Sequence, residues 1–384
     1  MQCKYQNHLH KSPVTISSMQ LTQLSLSHFR NYETKTIDFK TPTTISPTTI
    51  LVGPNAVGKT SIIEAIHLLA SGDSFRATKI EQMIEFDQEL GRVRGKVQTN
   101  GDEIELEVML TRGEVQGRRT QKRLFSINNA RRSKRKFVGQ LLTVVFRPED
   151  MRLIEGSKHR RRDFMDEPLC LVDGEYARAL DTYSQALLKR NRLLFQVREG
   201  EMPRSALTFW TMTILKHGQF IQEKRRQFLD FFKSVDFSVP FSVEYDSSPI
   251  TEQRQEKYAK REIAAGHTLI GPHKDDLIIK LAVETEKSGE ERRDIALFGS
   301  RGQQRMGVLW LKTCELAFLK HETQQEPILL LDDVLSELDA DHKELVLNLL
   351  DGTQTIITTA SIETAWEVHR HKDTSVIIKL NESD

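Results

Sequence analysis

Alternation of apolar and polar positions begins at Met19, where LTQLSLSHFRNYE opens. Two runs, Leu21 to Leu26 and Thr34 to Phe39, predict strands. TTILV at 48–52 predicts a third. It gives way to the glycine-bearing loop GPNAVGKT and then to SIIEAIHLLASG, whose apolar positions 62, 63, 66 and 69 make one helical face and whose Gly72 is a C-terminal stop. GRVRGKVQTNGDEIELEVMLTRG alternates on both sides of Asn100-Gly101, which predicts a hairpin. LLTVVF at 141–146 predicts an apolar strand.

From about Lys158 to Ser234 the period turns helical. Leu180, Tyr183, Leu187, Asn191 and Leu194 step by three and four, as do Leu207, Trp210, Ile214, His217 and Ile221. These stripes predict a helical hairpin packed on its own apolar faces. After Pro240 strand signals return in FSVEY, HTLI, GPHKDDL and LIIKLAV. The stretch FGSRGQQR at 298–305 runs into an apolar helix, MGVLWLKTCELAFL, and PILLLDD predicts a strand ending in two aspartates. The tail alternates a helix near 341–350, the strand TIITT, a helix near 361–371 and SVIIKL. The pattern divides the chain into a disordered or non-native extension at 1–18, an α/β part with hairpins at 19–150, a mainly helical insertion at 151–265, and a second α/β part at 266–384.

At 384 residues and 38% apolar the chain can bury a full core in two or three domains. Cys3, Cys170 and Cys314 form neither a disulfide framework nor a metal-ligand pattern, which predicts a reducing compartment. The N-terminus lacks an apolar stretch of signal-peptide length, and nowhere are there the ~18 apolar residues that span a bilayer, so a soluble cytoplasmic protein is expected. Net charge is +1, and any case for nucleic acid is therefore local. Between Arg112 and Lys136 ten basic residues face one acid, Glu114, and KHRRR follows at 158–162.

GPNAVGKT fits the phosphate-loop pattern G-x-x-x-x-G-K-[ST], after a strand and before a helix. Gly53, Pro54, Asn55, Ala56, Val57 and Gly58 would wrap a phosphate with backbone N–H groups and the helix N-terminus. Lys59 would reach the β- and γ-phosphates, and Thr60 would ligate Mg²⁺. PILLLDD brings carboxylates to the C-terminal edge of a central strand, where ligands of α/β sheets sit. Asp332 is placed to hold Mg²⁺ and Asp333 to polarise the attacking water, or to cap the next turn.

These motifs, with the stretch between them and LSELD after the aspartates, resemble the ABC-type ATPase heads of chromosome-maintenance and double-strand-break-repair proteins. More narrowly, the chain resembles the RecF family of bacterial recombination mediators. The resemblance rests on LSLSHFRNYE at 24–33, GPNAVGKTSIIEAI at 53–66, VVFRPEDMRLIEGSKHRRRDFMD at 144–166, LIGPHKDDL at 269–277, SRGQQR at 300–305 and ILLLDDVLSELD at 328–339, and covers about residues 19 to 380. It implies an α/β nucleotide-binding lobe built from both chain ends, with an inserted, mainly helical second lobe. It implies ATP and Mg²⁺ as cofactors, with Arg30 near the nucleotide. Ser300, Gly302 and Gln303 would form a signature loop that meets the γ-phosphate held by a partner molecule, and Ser336 and Asp339 a loop crossing that interface. The implied protein is an ATP-dependent homodimer that binds duplex or gapped DNA, hydrolyses ATP weakly under DNA stimulation, and assists RecA loading with RecO and RecR in the repair of damaged or stalled replication products.

The chain also departs from the wider family. Arg301 stands where most such ATPases have glycine, and Asp333 where transporter-type members place glutamate, so slow hydrolysis is expected. No histidine follows TIITT, where Thr359 and Ala360 stand, and Gln140 precedes its strand, which leaves the γ-phosphate histidine and the glutamine loop unassigned. His273, Asp275 and Asp276 could ligate a metal or form a tight structural turn. The basic window is either a solvated hairpin or a contact to DNA phosphates through Arg118, Arg119, Lys122, Arg123, Arg131, Arg132, Lys134 and Arg135. The rival reading is the ATPase subunit of a membrane transporter; the long insertion between phosphate loop and signature and the basic window count against it. A cohesin-like head would need room for a long coiled coil, which the 241 positions from Lys59 to Ser300 do not give.

Overall fold

A computed structural model describes residues 19–39, 48–99, 101–285, 289–337, 340–349, 352–372 and 374–381; the extension at 1–18 lies outside them. Five parallel strands form the central sheet, in the order Thr143–Phe146, Ile328–Asp332, Thr355–Thr359, Thr48–Val52, Val376–Lys379. A parallel sheet needs cover on both faces, and this one has it. Ile50, Val144, Phe146, Leu329, Leu331 and Ile357 enter one apolar cluster, while their neighbours Leu51, Val145, Ile328, Leu330 and Ile356 enter another.

The second cluster is closed by the helix Lys59–Ser71 and by a six-stranded antiparallel sheet that includes Met19–Phe29, Tyr32–Asp38, Leu90–Thr99 and Asp102–Thr111. The sequence predicts one apolar face for this helix. Instead Ser61, Ile62, Ile63, Glu64, Ala65, Ile66, Leu68, Leu69 and Ala70 are all buried, because the helix is packed between two sheets and has no broad side left for water. Its last turn closes at Gly72, which takes φ 72° and donates its N–H to the Leu68 carbonyl. The hairpin expected near position 100 is present, with Thr99 paired to Asp102. The basic window folds as strands Arg123–Ile127 and Ala130–Arg132 around Asn128 and Asn129, both at positive φ, the conformation that two-residue hairpin turns require.

The other cluster is covered by helices Lys158–Val172, Gly174–Arg198, Thr208–Phe231 and Arg301–Thr323. The predicted stripes are its packing faces, with Tyr183, Leu194, Ile214 and Ile221 buried, but they also carry buried Arg190, Gln222 and Arg225. Gln222 and Arg225 meet at GPHKDDL, whereas Arg190 bonds Thr268 and Glu262. Arg225, 2% exposed, donates Nε and a terminal nitrogen to Asp166, both at 2.8 Å, and its other nitrogen to the Pro272 carbonyl at 2.9 Å and Asp275 at 3.2 Å. Asp275, fully buried, also accepts from Gln222, the Ser248 N–H and the Tyr245 hydroxyl. Asp276 is paired with Arg161. Each acid is committed in this way to hydrogen bonds and ion pairs of the turn, and among the described residues no group of three or more His, Cys, Asp or Glu is placed to hold a metal.

The strand Phe241–Asp246, from the segment expected to be mainly helical, pairs with Asp276–Thr285 from the following part. HTLI is not a strand. The Thr268 and Leu269 N–H groups are taken by Asn191 and Glu262, so that segment needs no ladder. Among the described residues, no helix is long and apolar enough to cross a membrane.

His273 couples this region to pH. Its Nε2 lies 3.2 Å from the Thr268 carbonyl, which can only accept, so Nδ1 accepts from the Tyr183 hydroxyl at 2.7 Å. Burial lowers its pKa to about 4, against the Thr268 hydrogen bond, with Lys274 and Arg162 adding to the depression. A histidine whose folded pKa is depressed stabilises the fold above its unfolded value, near 6.5, and the contribution is lost as pH falls toward 4. Urea denaturation at pH 7 and pH 5 is expected to show this loss, about 2 kcal/mol by pH 5. His273→Gln should reduce the difference by that amount.

Candidate functional site

The strand Thr48–Val52 delivers Gly53 to the sheet edge, where its N–H donates to the Thr359 carbonyl at 3.3 Å. Pro54, Asn55 and Ala56 are exposed, and Ala56 and Gly58 take positive φ of 69° and 107°, which turns the loop into the helix at Lys59. The Lys59 ammonium folds back on the Gly53 and Pro54 carbonyls at 2.7 and 2.8 Å. Burial holds that ammonium below the usual lysine range, opposed by the carboxylates of Asp333 and Asp332. Thr60 donates its hydroxyl to Asp332 at 3.1 Å across 272 positions of chain. Phosphate loop and strand-end aspartates are thus one site.

Asp332 is 6% exposed, and burial raises its carboxyl above the ordinary range although the Thr358 and Thr60 hydroxyls work against this. Asp333 takes φ 54°, unusual for a residue with a side chain, and its carboxylate accepts from Ser336 at 3.1 Å. Asp339 lies outside the described residues. Arg30, also at positive φ, is clamped: Nε and a terminal nitrogen grip Glu64 at 2.7 and 2.6 Å, and the remaining nitrogen reaches the Gln82 carbonyl at 2.5 Å. Its partner Glu64 lies on the phosphate-loop helix, fully buried.

Sequence reasoning missed the residues that brace the loop. Asn31 and Tyr32 each donate to the Val57 carbonyl at 3.1 Å, and a Cβ at Gly58 would stand 2.5 Å from the Tyr32 hydroxyl. Position 58 therefore needs glycine for space as well as for φ. The signal was available in FRNYE, whose polar residues follow a strand of alternating pattern. Thr358, which bonds both aspartates, and Glu149, whose charge reaches Asp332 from the end of the neighbouring strand, were also missed. Gln140, the displaced glutamine, is exposed and its N–H bonds Phe137.

Among the described residues, Ser300, Gly302 and Gln303 share no hydrogen bond with this cluster. Ser300 caps the helix Arg301–Thr323 by accepting the Gln303 N–H at 3.2 Å, while the Gln303 side chain accepts the Ser300 N–H at 2.8 Å. Arg301, 75% exposed along its side chain, pairs with Glu155. The eight basic candidates differ in their pairing. Lys122 is paired with Glu81, and Arg123 and Lys134 with Asp73, whose carboxyl they hold low against burial. Arg131 donates to Gln121 at 2.7 Å, while Arg118, Arg119, Arg132 and Arg135 are exposed.

Among the described residues, the Asp332 carboxylate and the Thr60 hydroxyl would offer a cation oxygen donors, the donor type that suits Mg²⁺. Residues 20–379 match the RecF/RecN/SMC N terminal domain. The DNA replication and repair protein RecF of Bacillus mycoides is 32% identical over 370 residues, which cover 90% of this chain and 93% of that protein. The RecF of Bacillus cytotoxicus is 31% identical over 369 residues, with the same coverage. Two structures of the recombination mediator protein RecF in the RecFOR pathway, RecF-ATPrS and RecF-ATP, each align with a TM-score of 0.80 at 27% identity. The first covers 95% of this chain and 96% of that one, the second 98% and 99%. The alignment spans the helical insertion as well as the α/β part, as expected of an ABC-type ATPase head. The chain belongs to the RecF/RecN/SMC N-terminal domain family and, within it, to the RecF proteins.

Proposed function

We propose that the chain is an ATP-dependent DNA-binding protein of recombinational repair and replication-fork maintenance, in which ATP joins two copies head to tail. The observation that carries this is the division of the site. The phosphate loop, Asp332 and Asp333 are gathered in one place, whereas the helix N-terminus at Ser300 is capped within its own first turn and, among the described residues, shares no hydrogen bond with them. A helix start with Ser300 and Gly302 on it is suited to receive a phosphate, and a second molecule can bring one.

In this reading Lys59 leaves the Gly53 and Pro54 carbonyls to meet the β- and γ-phosphates, while the loop's N–H groups hold them in place. Thr60 and Asp332 would hold Mg²⁺, which when bound neutralises charge on those phosphates. Asp333 orients and deprotonates the attacking water, and its short side chain makes turnover slow. Ser300 and Gly302 of the other copy close the site. Arg118, Arg119, Arg131, Arg132 and Arg135 are the candidates without an acidic partner that would contact duplex phosphates, so binding would weaken with salt. Hydrolysis then releases the DNA, and the protein works with RecO and RecR to load RecA.

Sedimentation of wild type and Lys59→Met, with ATP, ADP or no nucleotide and with or without duplex DNA, tests this. Wild type should sediment as a dimer only with ATP and bind duplex most tightly then; Lys59→Met should stay monomeric throughout. Dimers that form equally well without ATP would remove the reading.

A further inference from the structure

One hydroxyl, that of Thr358, bonds both strand-end aspartates. Parallel pairing sets Thr358 opposite Asp332, and its side chain is buried, 1% exposed. Its Oγ1 donates to Asp332 Oδ1 at 2.7 Å and accepts the Asp333 N–H at 3.1 Å. The same N–H is shared with the Thr358 carbonyl, also at 3.1 Å. A hydroxyl has one proton to give; with that proton on Asp332, a lone pair faces Asp333.

Two consequences follow for the aspartates. Thr358 and Thr60 both use Oδ1 of Asp332, at 2.7 and 3.1 Å, and among the described residues no hydrogen bond reaches Oδ2, which is left to face a cation. Asp333 sits at φ 54°, a left-handed conformation that costs a residue with a side chain about 1–2 kcal/mol. Its N–H bonds to Thr358 and the Ser336 hydroxyl on its carbonyl, 2.7 Å, oppose that cost. We propose that Thr358 is a positioning residue for nucleotide hydrolysis: its hydroxyl selects the Asp332 oxygen offered to the divalent cation and fixes the peptide that aims Asp333. This rests on the assignment of both aspartates to nucleotide chemistry above.

The test compares wild type, Thr358→Val and Thr358→Ser in binding a fluorescent ATP analogue, with Mg²⁺ and with EDTA, and in ATP hydrolysis, with a melting curve for each. Outer-shell groups of this kind change metal affinity or activity about 10–100-fold. Thr358→Val should therefore lose the Mg²⁺-dependent gain in affinity about tenfold and hydrolyse ATP about 10–100-fold more slowly, with binding in EDTA unchanged. Thr358→Ser, which keeps the hydroxyl, should recover both, and it decides the matter if the valine variant does not fold. A valine variant equal to wild type, equal losses with and without Mg²⁺, or a serine variant as impaired as valine would each overturn the proposal. Wild type that binds no analogue in either buffer would instead remove the nucleotide reading beneath it.

Discussion

Replacing Arg225 by methionine is expected to lower the unfolding free energy by about 3–5 kcal/mol, among the largest effects available in this chain outside the nucleotide site. The guanidinium spans two acids, Asp166 and Asp275, and a carbonyl, Pro272. Methionine fills much of the space but leaves Asp275, fully buried, without its cation. An unpaired buried charge costs more than the pair contributes, so the loss exceeds what a count of hydrogen bonds gives. Arg225→Lys should recover little, since one ammonium cannot reach both carboxylates and the carbonyl in a fork geometry. Pairing Arg225→Met with Asp275→Asn should recover part of it, because the neutral amide removes the stranded charge. Urea denaturation followed by the fluorescence of Trp210 and Trp310 measures this. Equal stabilities of wild type and Arg225→Met would mean that the helices are held by their apolar contacts alone.

This junction shows where the sequence stops being readable. Arg225 and Asp275 are 50 positions apart, and each looks like an ordinary surface charge in its own segment. The helical period places residues on a face without saying which face will meet a buried acid. Arg190 with Glu262, 72 positions apart, is the same case. Strands such as Thr48–Val52, Ile328–Asp332 and Thr355–Thr359 were legible because each is a short apolar run with glycine, aspartate or threonine at its end. The phosphate loop was legible because its residue types and spacing carry the mechanism locally.

Elsewhere local pattern misleads in a consistent way. The phosphate-loop helix reads as one-sided because Ser61 and Glu64 interrupt the apolar run, yet both are buried. Glu64 is paid for by Arg30 and Ser61 by its bond to Asn31, partners that lie 34 and 30 positions upstream. The basic window reads as ten free cations, yet Asp73 and Glu81, outside the window, neutralise three of the eight singled out for DNA. In each case the deciding partner is distant in sequence, and composition within a window cannot contain it.

The proposed division of the site between two copies yields the second large effect, in mixtures of variants. Lys59→Met alone should be inactive because neither phosphate loop can hold the nucleotide, and Ser300→Arg alone because a bulky cation replaces the cap that closes each site. In a head-to-tail dimer of one copy of each, one site joins the intact phosphate loop of the Ser300→Arg copy to the intact Ser300 of the Lys59→Met copy. The other site carries both lesions. Neither variant pairs with itself, so every dimer in an equimolar mixture is mixed and carries one intact site, and the mixture should recover up to about half of wild-type turnover if the two sites act independently. Ser300→Arg should meanwhile bind ATP as a monomer nearly as wild type does, since among the described residues the Ser300 hydroxyl bonds only the Gln303 N–H of its own turn. Loss of ATP affinity in that monomer, with no recovery on mixing, would place Ser300 at the nucleotide of its own chain and would require the cap and the phosphate loop to approach each other within one molecule.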